Sequence, residues 1–409
     1  MIVNTKFNPN RRNLNIAVVG GGIAGMSAAW LLNKRHQIKV FELNDYIGGH
    51  SNTVDVSSCG HLIPVDTGFI VYNEKNYPNL AALFKYLGVS TKPSEMSFAA
   101  SLDGGNFEYS GTDLNGLLAQ RRNVLRPRFW NMLRDLLRFY REAPKLLTDE
   151  CNGDLSLGEY LRKKKYGSSF IETHLLPMGA AIWSTTPRQM EDYPARAFVR
   201  FFVNHGLVNL KNRPPWRTVD GGSRQYVERL TSSYRDNIQF GGARAINRLP
   251  DGVEVEDRDG NVEKFDHVVV ATHADEALKL LKDADLVERH LLGAWRYTQN
   301  IAILQSAPSL MPRRKKVWSS WNFMGSDDKG VHVTYWMNSL QSIDRNIPLF
   351  VSVNPNITPD KSRIYKSFNY EHPVFDYNAW SAQKRLWQIQ NYRNTWYCGS
   401  YFGYGFHED

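Results

Sequence analysis

Apolar and polar positions alternate along this chain in short runs, and these runs predict strands interleaved with helices. Residues 15–19 and 38–41 are continuous apolar runs typical of buried strands, and residues 26–32 between them have the composition of a helix. Residues 252–256 alternate strictly between apolar and polar side chains, and residues 268–272 form another apolar run. This order predicts an α/β protein with a sheet assembled from distant stretches of the chain.

A longer amphipathic segment, residues 128–147, is predicted to form a helix. Its apolar side chains recur at helical spacing, at Phe129, Leu133, Leu136, Leu137 and Tyr140. Trp130 and three arginines, Arg134, Arg138 and Arg141, lie between them. Two interpretations stay open: a helix that packs on the core with a charged outer side, or a basic, aromatic helix at a lipid interface.

The turn between the first strand and the first helix contains three spaced glycines. Gly20 permits a tight turn, Gly22 lets a diphosphate approach the backbone, and Gly25 allows close packing of helix on strand. The helix N-terminus supplies free N–H groups for phosphates. Glu42 ends the second strand, where a carboxylate can accept hydrogen bonds from ribose hydroxyls. The motif predicts a dinucleotide site; the alternative is a turn that serves packing alone.

Composition places the chain among globular proteins with apolar pockets. Its 409 residues suggest two domains, and 42% hydrophobic with 22% charged residues excludes a disordered chain. Aromatic residues make up 12% of the chain and include 11 Trp. Such rings line apolar pockets, lie at membrane interfaces or fill the core.

The net charge of +9 is concentrated in four basic clusters, at residues 121–122, 126–128, 162–165 and 313–316. Because the chain has no zinc-finger spacing, RNA-binding signature or recognition helix, lipid phosphate is favoured over nucleic acid as a partner. The three cysteines, Cys59, Cys151 and Cys398, have neither metal-site nor disulfide spacing, which suits a reducing cytoplasm. The sequence predicts no signal peptide and no apolar run long enough to span a bilayer.

The order of the predicted elements indicates a discontinuous nucleotide-binding domain. We expect it to comprise residues 13–90, 218–280 and 382–409. Residues 91–217, mainly helical, and residues 281–381, rich in predicted strands, are expected to form an inserted α+β substrate domain.

Several blocks together resemble the FAD-dependent amine oxidase-like superfamily. They are the glycine motif through Glu42, Ile-Gly-Gly-His at 47–50, Val-Asp-Thr-Gly-Phe at 65–69, Val-Asp-Gly-Gly-Ser at 219–223, Ala-Arg-Ala-Ile at 243–246, Ala-Thr-His at 271–273, and Cys-Gly-Ser at 398–400 followed by Gly403 and Gly405. The resemblance implies a Rossmann-type FAD-binding domain with an inserted α+β substrate domain, and FAD as the cofactor.

A bacterial branch of predicted NAD/FAD-binding oxidoreductases is more similar still. Its signature blocks resemble residues 204–207, 213–216, 334–338 and 405–409. That branch is associated with cyclopropane-synthase-like lipid methyltransferases, and some members resemble flavin desaturases of methyl-branched acyl chains. The resemblance therefore implies a fatty acyl substrate, with a lipid methyltransferase as a partner.

The chain departs from its amine oxidase relatives in two places. Relatives commonly have a Lys near flavin N5, where this chain has Asn300 in residues 297–302. Relatives also continue beyond the position of Asp409 with a helix that points at the flavin, so we expect either a truncated chain or an absent final helix. The first departure argues against an amine substrate.

The resemblance and the glycine motif together assign candidate cofactor residues. These are Gly20, Gly22, Ile23, Ala24, Gly25, Glu42, Leu43, Gly49, His50, Thr67, Gly68, Phe69, Ala243, Arg244, Ala271, Thr272, Gly399, Ser400, Gly405, Phe406 and His407. No metal site is predicted.

Acyl desaturation needs an apolar pocket and a group that takes up a proton. The candidate catalytic residues are His205, Asn300, Tyr335 and His372, with His332 as a further candidate base. The candidate substrate residues are Trp183, Trp216, Trp336 and Tyr401. A structural role in the core is the alternative for each of these side chains.

The resemblance implies an FAD-dependent oxidoreductase that desaturates a lipid acyl chain, a methyl-branched acyl group of a phospholipid. The alternatives are a flavin amine oxidase and a non-catalytic, flavin-binding partner of a lipid methyltransferase. We expect a cytoplasmic protein with peripheral contact at the inner face of the phospholipid membrane, and no nucleic-acid partner.

Overall fold

The computed structural model describes residues 13–58, 60–149, 155–325 and 332–409. Its strands are β1 (Asn15–Val19), β2 (Gln37–Glu42), β3 (Thr53–Ser58), β4 (His61–Asp66), β5 (Thr91–Ser94), β6 (Phe98–Leu102), β7 (Phe107–Ser110), β8 (Trp216–Val219), β9 (Ile238–Phe240), β10 (Ala243–Leu249), β11 (Gly252–Asp257), β12 (Val262–Phe265), β13 (His267–Val270), β14 (Arg296–Gln305), β15 (Trp321–Met324), β16 (His332–Trp336), β17 (Phe350–Val353), β18 (Ile364–Val374) and β19 (Thr395–Tyr397).

Helices occur throughout the same residues. They are α1 (Ile23–Leu32), α2 (Pro78–Leu87), α3 (Leu114–Leu117), α4 (Pro127–Glu142), α5 (Leu157–Lys163), α6 (Ser168–Phe170), α7 (Leu176–Trp183), α8 (Pro187–Met190), α9 (Ala195–Asn204), α10 (Arg224–Thr231), α11 (Ala274–Leu280), α12 (Leu286–Leu292), α13 (Met337–Leu340) and α14 (Tyr377–Gln383). Among the described residues, none of these helices combines the length and the apolar character needed to cross a bilayer.

A five-stranded parallel sheet in the order β19-β13-β1-β2-β9 contains the glycine motif. Its central strand β1 is buried, with Val18 opposite Val269 on one side and Val40 on the other. The strands come from the three stretches expected to form the nucleotide-binding domain. The prediction of an α/β, amine oxidase-like FAD-binding fold is confirmed, and the domain boundaries stay predictions.

A seven-stranded sheet in the order β18-β14-β17-β16-β15-β6-β7 forms the second layer. Its strands pair antiparallel, except that β15 and β6 run parallel. The stretch 91–217 therefore contributes strands as well as helices α3 to α9. A continuous buried cluster links the two sheets, since it includes Val19 of β1 together with Phe323 of β15 and Val333 of β16.

The helix predicted over residues 128–147 is α4, and it ends at Glu142. Pro144 ends it because its ring cannot fit against the preceding turn, and a 3-10 turn follows over Ala143–Thr148. Phe129, Met132 and Phe139 are buried, so the core-facing interpretation is confirmed for that face. Leu137, predicted to belong to the apolar face, is 46% exposed and points outward.

Of the three cysteines, only Cys398 lies within the described residues. Its thiol forms no disulfide there. Burial raises the pKa of this thiol to about 12, so it is unreactive at neutral pH. Cys59 and Cys151 lie outside the described residues.

Candidate active site

The N-terminus of α1 is a cradle made by glycines. A Cβ atom at Gly25 would lie 1.8 Å from the Gly20 carbonyl oxygen, whereas one at Gly22 would have no atom within 4 Å. Gly22 caps α1 without a side-chain hydrogen bond to the first turn. Gly25, which packs the helix on the strand, is thus fully enclosed. The space beside Gly22 is open, so a diphosphate can reach the free N–H groups of Ile23 and Ala24 there.

Glu42 closes one side of this cradle. Its Oε2 accepts a hydrogen bond from the Gly21 backbone N–H at 2.8 Å, and its Oε1 accepts from the Asn44 backbone and side chain, each at 2.8 Å. The carboxylate is 4% exposed. These donors hold it at the carboxyl end of β2, where a ribose can reach its remaining lone pairs.

The rest of the cradle comes from residues distant in sequence. Leu43 lies against Gly242, the residue before Ala243. A Cβ atom added at Gly242 would lie 3.0 Å from the Leu43 Cα. Ala271 donates its N–H to Val19 at 2.7 Å, and a Cβ at Gly399 would lie 3.5 Å from the Thr272 carbonyl oxygen. The predicted cofactor residues around α1 are therefore brought together. Arg244 differs from the other predicted cofactor residues: its side chain is 65% exposed and forms a salt bridge with Glu256 at 3.4 Å.

A second group of predicted cofactor residues extends from this cradle. A Cβ at Gly49 would lie 3.2 Å from the Gly22 Cα, which joins the two groups. The His50 carbonyl accepts a hydrogen bond from Phe69 at 2.7 Å and contacts Gly68. The Phe69 ring stacks on His407, with centroids 3.8 Å apart. The Asp-x-Gly loop, Ile-Gly-Gly-His and the C-terminal loop thus meet at one place.

The C-terminal loop is tied to the rest of the fold by its acidic residues. Glu408 accepts hydrogen bonds from the Asn79 and Leu80 backbones at 2.9 and 3.0 Å, so it caps the N-terminus of α2. Asp409 accepts from Tyr404 at 2.9 Å and from Phe406 at 2.8 Å. Within the loop, Gly405 donates to the Ser400 carbonyl at 3.1 Å.

Strands β14 and β18 present Thr298, Asn300, Tyr370 and His372 on one face, and these four neighbouring side chains are uncharged. Asn300 pairs with Tyr370, and Thr298 pairs with His372, so their side chains share a face. Tyr370 stacks on His50 at 4.8 Å between centroids, and its hydroxyl bonds Thr67 at 2.8 Å. The His372 ring lies 5.2 Å from the His50 ring.

A hydrogen-bond chain orients His372. The backbone N–H of Ile301 donates to Asn354 Oδ1 at 2.9 Å, and Asn354 Nδ2 donates to Asn300 Oδ1 at 2.8 Å. Asn300 must then donate through Nδ2, which lies 3.1 Å from His372 Nδ1. Because Nδ1 accepts, the neutral ring of His372 carries its proton on Nε2.

Burial keeps the histidines of the site neutral. It lowers the pKa of His372 to about 4 and that of His407 to about 3. It holds the pKa of His50 well below 6.5, and neighbouring histidines add to the effect. Nε2 of His50 is buried and has no hydrogen-bond partner among the described residues. This unpartnered nitrogen is available to a ligand.

An aromatic wall adjoins the C-terminal loop. Trp183 donates its indole N–H to the Tyr404 carbonyl at 3.3 Å and packs on Phe201 at 4.7 Å. His205 stacks on Phe201 at 3.9 Å, and its Nδ1 bonds the Phe201 carbonyl of its own helix at 3.0 Å. Burial lowers the pKa of His205 to about 4. Tyr401 is buried at 1% exposure, and its hydroxyl has no partner among the described residues.

The other candidates lie outside this group. Tyr335 packs on Trp321 at 5.3 Å, and Trp336 contacts Trp318 at 5.6 Å. Because successive strand residues face opposite sides of a sheet, these two side chains cannot line the same pocket. Trp216 packs behind His205 at 6.2 Å. His332 bonds Thr334 at the other end of β16, at 3.1 Å.

Sequence reasoning missed Tyr370 and Asn354, and it included Asp66 in the Asp-x-Gly block without naming it as a site residue. Tyr370 precedes His372 by two residues in β18, so strand alternation could have identified it. Asp66 Oδ1 accepts from Thr53 at 2.6 Å and from the backbone and hydroxyl of Ser223 at 2.8 and 2.7 Å. Burial raises the pKa of Asp66 to about 6. No local pattern indicated Asn354, which only the sheet register brings to Asn300.

His273, Glu276 and Glu371 place one potential metal-ligand atom each within 4.8 Å of one another. His273 and Glu276 form the capping box of α11. Both carboxylates are engaged, since Glu276 accepts from the His273 backbone N–H at 3.1 Å and Glu371 accepts from Gln299 at 2.6 Å, so we assign no metal to the three side chains.

The residues fit FAD. The open space at Gly22, the uncapped helix and the buried carboxylate of Glu42 match a diphosphate and ribose. The unpartnered His50 Nε2 lies among the residues that the flavin end of the molecule would contact.

Comparisons with known proteins agree with this geometry. The family model described as "Flavin containing amine oxidoreductase" matches residues 23–310, which is more than half of the chain. Cyclohexylamine oxidase from Brevibacterium oxydans IH-35A is 14% identical with a TM-score of 0.69, and 97% of this chain and 96% of that chain are covered. No curated protein sequence matches this chain.

Two further solved structures have the same fold. Putrescine oxidase bound to putrescine is 13% identical with a TM-score of 0.66, covering 97% of this chain and 95% of that one. The CLA-producing fatty acid isomerase from P. acnes is 14% identical with a TM-score of 0.64, covering 97% and 96%. The family and these neighbours are FAD-binding flavoproteins, so FAD is the cofactor. The chain therefore belongs to the flavin containing amine oxidoreductase family and is a flavin-dependent oxidoreductase.

Proposed function

We propose that this FAD-dependent oxidoreductase desaturates a lipid acyl chain, a methyl-branched fatty acyl group of a phospholipid. The observation that supports the proposal is the uncharged face of Asn300, Tyr370 and His372 beside His50. An unactivated C–H bond needs no countercharge, whereas a cationic amine needs an acidic group or an aromatic cage.

The proposed reaction removes two hydrogens from adjacent carbons. One leaves as a hydride and the other as a proton, and the electron pair of the second C–H bond forms the new π bond. FAD, when bound, supplies the acceptor for the hydride at N5. Dioxygen or another two-electron acceptor completes the redox balance.

The protein supplies orientation and a site for the proton. His372 uses Nδ1 to accept from Asn300, so it is placed as a donor. His50 has a neutral ring and an unpartnered Nε2, which makes it the better candidate for taking up the proton. The wall of Trp183, Phe201 and Tyr401 supplies apolar surface for a chain of methylenes.

The fold is compatible with fatty-acid substrates, since a neighbouring structure is described as a fatty acid isomerase. The association with a lipid methyltransferase belongs to this same proposal, and it rests on the resemblance of the signature blocks alone.

Amine oxidation is the second candidate. The family description and the oxidases of cyclohexylamine and putrescine favour it. Glu371, next to His372, is about one-third exposed, and its Oε1 accepts a hydrogen bond from Gln299 Nε2 at 2.6 Å. This carboxylate would attract a cationic amine, but strand alternation turns it to the opposite face of β18 from Tyr370 and His372.

Anaerobic titration of the purified holoenzyme distinguishes the candidates. Loss of the visible flavin absorbance on adding a methyl-branched phospholipid, but not on adding putrescine or cyclohexylamine, is expected. Bleaching by amines alone would replace the proposal with amine oxidation. Bleaching by neither would favour a non-catalytic partner of a methyltransferase. Mass analysis of lipids from cells with and without the chain then identifies the new double bond.

A further inference from the structure

Exposed apolar side chains are concentrated on one part of the surface. Within residues 114–137, six large apolar side chains face solvent: Leu114 (74% exposed), Leu118 (38%), Val124 (41%), Leu125 (86%), Trp130 (52%) and Leu137 (46%). Single exposed apolar residues are ordinary, whereas a group on adjoining elements marks an interaction surface. We call this group the apolar patch.

Two of the three elements that contribute to the patch are in direct contact. The indole N–H of Trp130 donates to the Val124 carbonyl at 2.7 Å, which fixes α4 against the 3-10 turn Arg121–Leu125. Along α4, Trp130, Arg134, Leu137 and Arg141 recur at helical spacing and are all exposed. They form one outward stripe, opposite the buried Phe129 and Phe139.

Positive charge surrounds the patch. Residues 111–145 contain eight Lys and Arg but three Asp and Glu. Each of these acids is engaged: Asp113 caps α3, Asp135 accepts from the Gly167 backbone at 2.8 Å, and Glu142 pairs with Arg138 at 3.1 Å. Asp135 also pairs with Arg134 at 3.3 Å, so the two salt bridges offset part of the positive charge, and the segment keeps an excess of five positive charges.

A second basic cluster adjoins the first. Arg122 and Arg126 both donate to the Asn106 carbonyl, at 3.0 and 2.6 Å. Arg314 donates to the neighbouring Gly105 carbonyl at 3.2 Å. The clusters at 121–128 and 313–316, distant in sequence, therefore meet at the loop that contains Asn106.

We propose that the apolar patch docks the protein on an anionic phospholipid bilayer. Trp130, Leu125 and Leu137 would enter the interfacial region while the neighbouring arginines bind lipid phosphates. Basic residues interleaved with Trp and Leu suit a bilayer interface, where apolar depth and negative charge lie within one side-chain length of each other. The inference goes beyond the proposed function, because vesicle binding is measured without turnover and fails or succeeds independently of it.

Co-sedimentation of the holoenzyme with vesicles tests the proposal. Binding to vesicles of mixed phosphatidylglycerol and phosphatidylcholine is expected, together with much weaker binding to phosphatidylcholine alone and loss in high salt. No binding to the anionic vesicles would overturn the proposal.

Matched variants distinguish binding through the apolar patch from nonspecific binding by any exposed apolar side chain. Leu125→Asp and Trp130→Ser are each expected to weaken vesicle binding by about tenfold. Their controls, Leu286→Asp and Trp387→Ser, change side chains that are 85% and 70% exposed elsewhere, and should bind as the wild type does. Equal losses in variants and controls would contradict the proposal.

Two double variants test the contribution of the positive charges to vesicle binding. Arg121→Glu with Arg141→Glu should reduce binding more than tenfold, whereas Arg258→Glu with Lys361→Glu, an equal change in charge, should reduce it less. Unchanged flavin absorbance and circular dichroism verify that each variant is folded. If the patch variants instead keep vesicle binding but lose binding to immobilised polyglutamate, the surface recognises an acidic protein and the proposal is wrong.

Discussion

The two sheets build their parts of the site in different ways. The parallel sheet holds the cofactor cradle with backbone atoms and glycines, such as Gly20, Gly22 and Gly25 close together in sequence. The seven-stranded sheet presents side chains, and Asn300 meets Asn354 and His372 only through the register of neighbouring strands. The cofactor cradle of the parallel sheet has no room for an added side chain at its packing glycines. The part built by the seven-stranded sheet depends on side-chain hydrogen bonds, which conservative substitutions can remove one at a time.

The sharpest test of the backbone-built cradle is a pair of alanines. Gly25→Ala places a methyl group 1.8 Å from a carbonyl oxygen that cannot move, so we expect an insoluble or FAD-free protein. Gly22→Ala meets no atom within 4 Å, and its backbone φ of −72° suits alanine. It should fold with a wild-type circular dichroism spectrum yet lose FAD, because its methyl group occupies the space of the diphosphate. A Gly22→Ala variant that retains wild-type FAD content, or a soluble Gly25→Ala variant that binds FAD, would contradict the cradle.

Acid should destabilise the protein through buried histidines: His372, His205 and His407 of the candidate site, and His174, which lies between α6 and α7. The folded pKa values of His372, His205 and His174 are about 4, and that of His407 is about 3, all below the unfolded value of 6.5. The unfolded chain then binds more protons, so stability falls as pH drops from about 6.5 to 4, by about 1.4 kcal/mol per pH unit for each histidine.

Asp66 changes the pH dependence of stability in the opposite direction from the histidines. Its folded pKa of about 6 exceeds the unfolded 3.8, so its contribution is present below pH 3.8 and is lost as pH rises through 6. One carboxyl does not cancel four histidines. The melting temperature should therefore fall steeply between pH 7 and 5, with a shallower slope in His174→Gln. A flat profile would show that the rings take up protons at the same pH in the folded protein as in the unfolded chain.

His50→Gln and His372→Gln compare two roles within the proposed function. Removing the proton acceptor should slow anaerobic flavin reduction by about 100-fold with His50→Gln. His372→Gln can still donate a hydrogen bond, so a loss of about tenfold is expected. Stopped-flow absorbance with a methyl-branched phospholipid measures both, and the FAD content of each variant is the control. The reverse order would make His372 the proton acceptor.

Asp66→Asn tests the junction between the two regions. Asp66 Oδ2 accepts from Gln341 Nε2 at 3.0 Å, and Gln341 Oε1 accepts from the Asp66 backbone at 2.9 Å. An amide at position 66 faces a second donor, so unfolding free energy should fall by about 1–3 kcal/mol in urea titration. Asp360→Asn, at an exposed 3-10 cap, is the control for the same chemical change. A loss no greater than that of the control would remove Asp66 from this role.

The smallest effect is expected at the loop that joins the regions. Glu408→Ala removes the cap of α2, and a cost of about 1 kcal/mol follows from the value of a helix cap. Thermal unfolding measures it, and Glu408→Gln, which keeps an acceptor oxygen, should recover part of the loss. No change in either variant would mean that water caps α2 equally well.

The elements of the parallel sheet could be predicted almost to the residue. Residues 15–19 form β1 as expected, and the apolar runs 38–41 and 268–272 coincide within two residues with β2 and β13. Helix α4 was predicted five residues too long because the apolar spacing continues through Pro144 into a 3-10 turn. In the substrate region, Tyr335 and Trp336 were predicted to serve one site, but strand alternation turns them to opposite faces.

By itself, the sequence determined the cofactor cradle and the order of its elements, because strand, glycine turn, helix and acid are neighbours in the chain and their chemistry is local. Only the tertiary structure decided which histidines meet, which nitrogen of His372 carries the proton, and that two distant basic clusters adjoin one apolar patch. Those outcomes depend on strand register and helix packing, where residues tens to hundreds of positions apart come together and no short-range pattern records the pairing.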